Sequence, residues 1–125
     1  MAASARLIHT QQVHFLRKGF TFGAAGVVDV GCIPANSVII KPMSGVFVST
    51  AFNGTAPQTV GIGTTANTAL FGSALALSAQ TFVATAQSAD FQVYGDTNIQ
   101  AIISASAATA GNAIIIVCYV PNTDL

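Results

Sequence analysis

Four carboxylates, two imidazoles and two thiols are the first candidates that the chain offers for acid–base, metal or nucleophilic chemistry. The acids are Asp29, Asp90, Asp96 and Asp124, and no two stand at a spacing that forces them together as a general acid and base. Each suits a turn or a cap. His9 and His14 differ by five positions, which sends them to opposite faces of a strand and not to one metal ion. Ser73, in "FGSAL", lacks the glycine framing of a G-x-S-x-G nucleophile elbow. Cys32 and Cys118 could form a disulfide only from neighbouring strands with the right Cα separation. The apolar run around Cys118 and a cytoplasmic origin favour two buried free thiols. No residue is singled out as catalytic, and no cofactor or metal is implied.

One stretch does have the spacing of a binding motif. Gly61-Ile62-Gly63-Thr64-Thr65-Ala66 fits G-x-G-x-x-G/A, in which glycines let backbone approach a pyrophosphate at the start of a helix. The chemistry needs a helix directly after it and an acidic residue for the ribose about 20 residues on. The adjoining run, "NTALFGSALALSAQTF", is broken by Gly72, and the acid position falls in "QTFVATA". Glycines also serve strand ends and bulges, where a missing Cβ relieves crowding, and that role is expected here.

The elements that would carry these residues are strands. Residues 13–22, 27–30, 59–63, 80–86, 97–104 and 112–120 alternate at period two or run apolar between turn signals. Residues 38–52 are predicted as one long strand broken by Pro42 and Gly45, beyond which Val46, Val48, Thr50 and Phe52 share a face. Residues 68–78 read as weakly helical and 90–94 as a short strand. In 97–104, Ile99, Ala101 and Ile103 share a face. The last run, "NAIIIVCYV", is apolar on both faces and predicts a central strand. Seven to nine short strands in 125 residues imply one all-β domain, a jelly roll or β-sandwich.

Composition bounds the partners. Only 6% of residues are charged while 52% are hydrophobic, against roughly a quarter charged in ordinary globular proteins. A lone domain would cover itself with charge for solubility, so much of this surface is expected to lie against other subunits. A net charge of zero argues against general nucleic-acid binding, which needs clustered cations. The longest apolar run, "AIIIVCYV", is far short of the roughly 20 residues of a spanning helix, and no membrane partner is expected. The first residues also lack the apolar segment of a signal peptide, so a soluble, cytoplasmically made chain is expected.

The order "VGCIPANSVI", "VSTAFNG", "TVGIGTTANT" and "DTNIQAIISASAATAGNAIIIVCYV" resembles a group of small all-β virion proteins of tailed bacteriophages. The resemblance spans residues 30–120 and contains no catalytic residue. It implies a jelly-roll or sandwich subunit of the virion, most like a capsid cement or decoration protein. The implied partners are the chain itself, as a homotrimer, and a major capsid protein or other virion subunit. A tail, collar or head-fibre subunit is the alternative within that group. A carbohydrate-binding module is the alternative outside it, weakened by the absence of Trp and the presence of only Tyr94 and Tyr119.

Charge is unevenly placed along the chain. Residues 1–19, an expected N-terminal arm or edge strand preceding a domain of residues 20–125, hold Arg6, His9, His14, Arg17 and Lys18. Only Lys41 is basic beyond them. These five residues are therefore the candidate partner-docking set, a solvated arm being the bland alternative.

Overall fold

Alternating apolar residues favour strands when one face can be buried, and strands pair in antiparallel order when short turns join them. The computed structural model of the protein describes residues 13–23, 26–54, 58–85, 92–104 and 108–121. Among them are nine strands: β1 (His14–Thr21), β2 (Gly26–Ile33), β3 (Val38–Ile39), β4 (Gly45–Thr50), β5 (Thr59–Gly63), β6 (Gly72–Ala76), β7 (Phe82–Ala84), β8 (Thr97–Ser104) and β9 (Asn112–Val120). A single 3-10 turn, Lys41–Met43, stands between β3 and β4. It contains Pro42, which has no N–H to give a ladder and so ends the strand there.

The strands form two antiparallel sheets. Sheet A has the order β1-β9-β4-β7, with β3 extending the β4 side of β9, and sheet B has the order β2-β8-β5-β6. With the two-residue β3 set aside, the remaining strands interleave as a jelly roll, in which consecutive strands cross between sheets except for the β5–β6 pair within sheet B. The protein is thus an all-β sandwich. β9, apolar on both faces in sequence, sits centrally between β1 and β4. Its odd-numbered residues Ala113, Ile115 and Val117 point inward with Val46 and Val48 of β4. Against them lie Val60 and Ile62 of β5 and Ile99, Ala101 and Ile103 of β8, all essentially dry. At one end Phe20 and Phe52 meet with ring centroids 5.7 Å apart.

Three sequence expectations are corrected by this packing. Residues 68–78 do not form a helix: β6 occupies Gly72–Ala76 and pairs with β5, Val60 opposite Leu75. A short apolar run has no secondary structure of its own until a partner strand offers hydrogen bonds, and β5 does so. Thr50 is exposed and not on the face of Val46 and Val48, because the register against β9 shifts between Val48 and Thr50 and turns its side chain outward. The third concerns Cys32, which is exposed on β2 and not buried. Elsewhere the limits move: β7 is confined to Phe82–Ala84, and of the short strand expected near 90–94 the described part makes one bridge, Gln92 to Val38.

Candidate docking surface

The residues with reactive side chains are dispersed. Asp29 lies on the outer face of sheet B and accepts a hydrogen bond from Gln100 Nε2 at 3.2 Å. Asp96 Oδ1 accepts from the Ala35 N–H at 2.9 Å and fastens the Pro34–Ser37 turn. Asp90 and Asp124 lie outside the described residues. Cys32 and Cys118 belong to different sheets and are free. Burial raises the Cys118 thiol pKa above its ordinary value. Among the described residues no three His, Cys, Asp or Glu side chains gather as a metal site, and no helix is long and apolar enough to cross a membrane.

The glycine motif is closed off by its surroundings. Gly61 and Gly63 are buried in β5, between β6 and β8, and the chain continues into a turn and a further antiparallel strand. That turn folds back on the strand: Thr64 N–H donates to Asn67 O at 2.9 Å and Phe71 N–H to Ile62 O at 2.9 Å. A Cβ on Gly63 would stand 2.6 Å from the Thr68 carbonyl carbon. The glycines allow backbone to approach backbone, with no space for a phosphate.

Of the five candidate docking residues, Arg6 and His9 lie outside the described residues. His14, Arg17 and Lys18 are all exposed on β1, which pairs with β9 through residue 19 without a break, from His14 opposite Tyr119 to Thr21 opposite Asn112. His14 stacks on Tyr119 with ring centroids 5.8 Å apart. Strand alternation divides the cations. Lys18 shares a phase with Leu16 and Phe20, and Leu16 lies against Gly31 of β2 in the other sheet. Arg17 shares the opposite phase with Phe15, on the outer face of sheet A. The structure therefore gathers the three on one strand but not on one face.

That outer face holds what the sequence did not single out. The register places Gly19, Ile114, Phe47 and Phe82 in one row across β1, β9, β4 and β7, and Arg17, Ile116, Gly45 and Ala84 in the next. Phe15 is 63% exposed, and Phe47 and Phe82 are 40% exposed each. Arg17 is the one formal charge among these residues. At about 4.8 Å between strands and 3.4 Å per residue, the patch covers on the order of 300 Å². A patch of this size is often functional, yet falls short of the roughly 800 Å² per partner of a stable two-body interface. The outer face of sheet B is more mixed, setting Asp29, Gln100, Asn98 and Ser104 beside Val27 and Ile102. Tyr119 is buried and Tyr94 alone is exposed, so the tyrosines build no stacking platform for a sugar.

No protein-family model and no curated protein matches the chain. Solved structures do match its fold. A chain in the acidic stable capsid structure of Helicobacter pylori bacteriophage KHP30 superposes with a TM-score of 0.71 at 15% identity, covering 89% of this chain and 90% of that one. A chain of the cyanophage Pam1 capsid asymmetric unit superposes with a TM-score of 0.62 at 15% identity, covering 90% and 86%. At such identity the likeness establishes a shared sandwich fold across nearly the whole of each chain.

Proposed function

We propose that the protein is a structural subunit of a bacteriophage head, a cement or decoration protein that bridges shell subunits. The observation that carries this reading is the likeness of the whole sandwich, over about nine tenths of both chains, to a chain in a phage capsid structure. The physical character of the surface supports it. A phenylalanine-bearing sheet face with Arg17 as its one charge suits a contact core, where charge is depleted and aromatics are enriched. Because the patch is too small to hold two bodies together alone, several such contacts must act at once, as they do when symmetry repeats a subunit around a shell. A homotrimer seated over a junction of the shell would link three of these patches, each raising the effective concentration of the next. In that arrangement the subunit opposes expansion of the head by burying area that separation would expose.

Heads prepared without this protein, from the phage whose genome encodes it, provide the test. Added protein is expected to bind them at a fixed stoichiometry, appear in a cryo-EM map at shell junctions, and raise the temperature at which heads release DNA. Absence of binding, or density on a tail or collar alone, overturns the reading.

A further inference from the structure

An exposed sheet edge presents unpaired N–H and C=O groups to any passing strand, so folded proteins blunt their edges. Three of the four edges here are blunted. β7 is only three residues long. β2 shifts register between Asp29 and Gly31 and carries the Asp29 carboxylate. β6 is irregular against β5 and holds Ala74 at a φ of 51°. β1 is different: its eight residues pair with β9 in continuous register, with neither bulge nor proline.

One hydrogen bond fixes which groups of β1 face away. Phe22 N–H donates to Gly111 O at 3.1 Å, extending the ladder by a pair. In an antiparallel ladder successive residues alternate between bonding the partner and pointing away from it. His14, Leu16, Lys18 and Phe20 therefore bond β9, while Phe15, Arg17, Gly19 and Thr21 turn their N–H and C=O groups outward. The far side of β9 obeys the same alternation, since the Cys118 N–H donates to Ser44 Oγ and the Cys118 C=O accepts from Ile40 N–H. Among the described residues no strand covers the β1 edge.

Charge decides the kind of occupant. β1 carries His14, Arg17 and Lys18 and no acidic residue. A second copy pairing antiparallel along the same edge would set cations beside cations with no carboxylate on either strand, and like charges across a ladder repel. A different polypeptide with Asp or Glu opposite Arg17 and Lys18 meets no such penalty. Resting on the reading of the protein as a head subunit, we infer that β1 is a docking edge: an extended acidic segment of a shell protein adds to it as a strand, continuing sheet A across the subunit boundary. Main-chain hydrogen bonds supply the hold, and the two cations choose the partner and its register.

Hydrogen exchange of the full-length protein, free and bound to heads lacking it, tests this residue by residue. In the free protein the amides of Phe15, Arg17, Gly19 and Thr21 are expected to exchange fast and those of Leu16, Lys18 and Phe20 slowly. On binding, the four fast amides are expected to slow by more than about tenfold. Arg17→Pro removes an outward N–H and leaves the β9 ladder intact, a position where edge strands tolerate proline. It is expected to weaken binding about tenfold, the equivalent of one good hydrogen bond, with little loss of thermal stability. The double reversal Arg17→Glu with Lys18→Glu is expected to weaken it at least as much. If the unaltered protein fails to bind heads, the head-subunit reading falls and this inference with it. If it binds and the four amides exchange as in the free protein, or if Arg17→Pro and the charge reversal bind unchanged, the contact lies elsewhere and this inference alone is overturned.

Discussion

Replacing Gly63 by alanine tests the packing that closes the glycine motif. The added Cβ would lie inside contact distance of the Asn67 carbonyl oxygen, 2.6 Å from the Thr68 carbonyl carbon and 2.8 Å from the Leu70 nitrogen. Comfortable separations are about 3.5–4.0 Å. All three atoms are backbone, so no side chain can rotate aside, and the turn of residues 64–70 must retreat by about 1 Å. That strains the Thr64–Asn67 and Phe71–Ile62 hydrogen bonds. Losing one costs about 0.5–1.5 kcal/mol, and overpacking adds about 1–3 kcal/mol. The lower entropy of an unfolded chain with alanine offsets about 0.4–1 kcal/mol. The net loss is about 1–4 kcal/mol, which for a chain of this length lowers Tm by about 4–15 °C. Gly61→Ala is the comparison, because its nearest atoms are at 3.2 and 3.4 Å and the turn need barely move. Urea denaturation at matched protein concentration, with the slope checked for constancy, measures both. Equal stability of Gly63→Ala and Gly61→Ala would refute the close-approach account.

Thiol titration is expected to find one fast equivalent in the native protein, Cys32, and two in denaturant. Because burial raises the folded-state pKa of Cys118, its contribution to stability is intact below the ordinary thiol pKa. It declines as pH rises above that value, where the unfolded chain ionises first, and Cys118→Ala should flatten this alkaline slope in denaturation midpoints. Ser44→Ala removes the hydroxyl that accepts from the buried Cys118 N–H at 3.0 Å and donates to Ile40 O at 2.8 Å. A loss of about 1–3 kcal/mol is expected, and an unchanged midpoint would show that water takes its place. Phe47→Ser and Phe82→Ser, on the outer face of sheet A, should leave melting within about 1 kcal/mol of the parent while weakening head binding, as sedimentation with heads would reveal.

The core was legible wherever alternation was strict. The Ile99, Ala101 and Ile103 face, the central position of 112–120 and the interruption at Pro42 follow from residue type alone, because period two and a missing N–H act locally, whereas Gly45, expected as a second break, is the first paired residue of β4. β6 was not legible, since its conformation depends on the register against β5 and on Ala74 in a left-handed bulge. Thr50 was misplaced for the same reason: the register shift after Val48 turns its side chain outward, while Phe52, beyond the end of β4, lies in the core as its place in the pattern predicts. The docking patch was hidden more deeply. Phe15, Phe47, Phe82, Ile114 and Ile116 come from four strands spread along the chain, and only register aligns them. Arg17 and Lys18 look like one cluster because they are adjacent, and adjacency in a strand is what separates them.

The central position of β9 also sets a clock. His14 pairs with Tyr119, about 100 positions further along the chain, so sheet A waits for its own middle strand during synthesis. Until residues 112–120 leave the ribosome, the residues of β1 lack the strand they pair with in sheet A, and without that pairing eight residues of backbone stand unmatched. Such a segment is a hazard in a crowded cell, where unpaired backbone of separate copies can join. Arg17 and Lys18, one on each face, keep like copies apart during that interval. A chain terminated before residue 112 never acquires β9 and so never presents β1 as a finished edge. Assembly through that edge thus draws only on copies that have made their central strand.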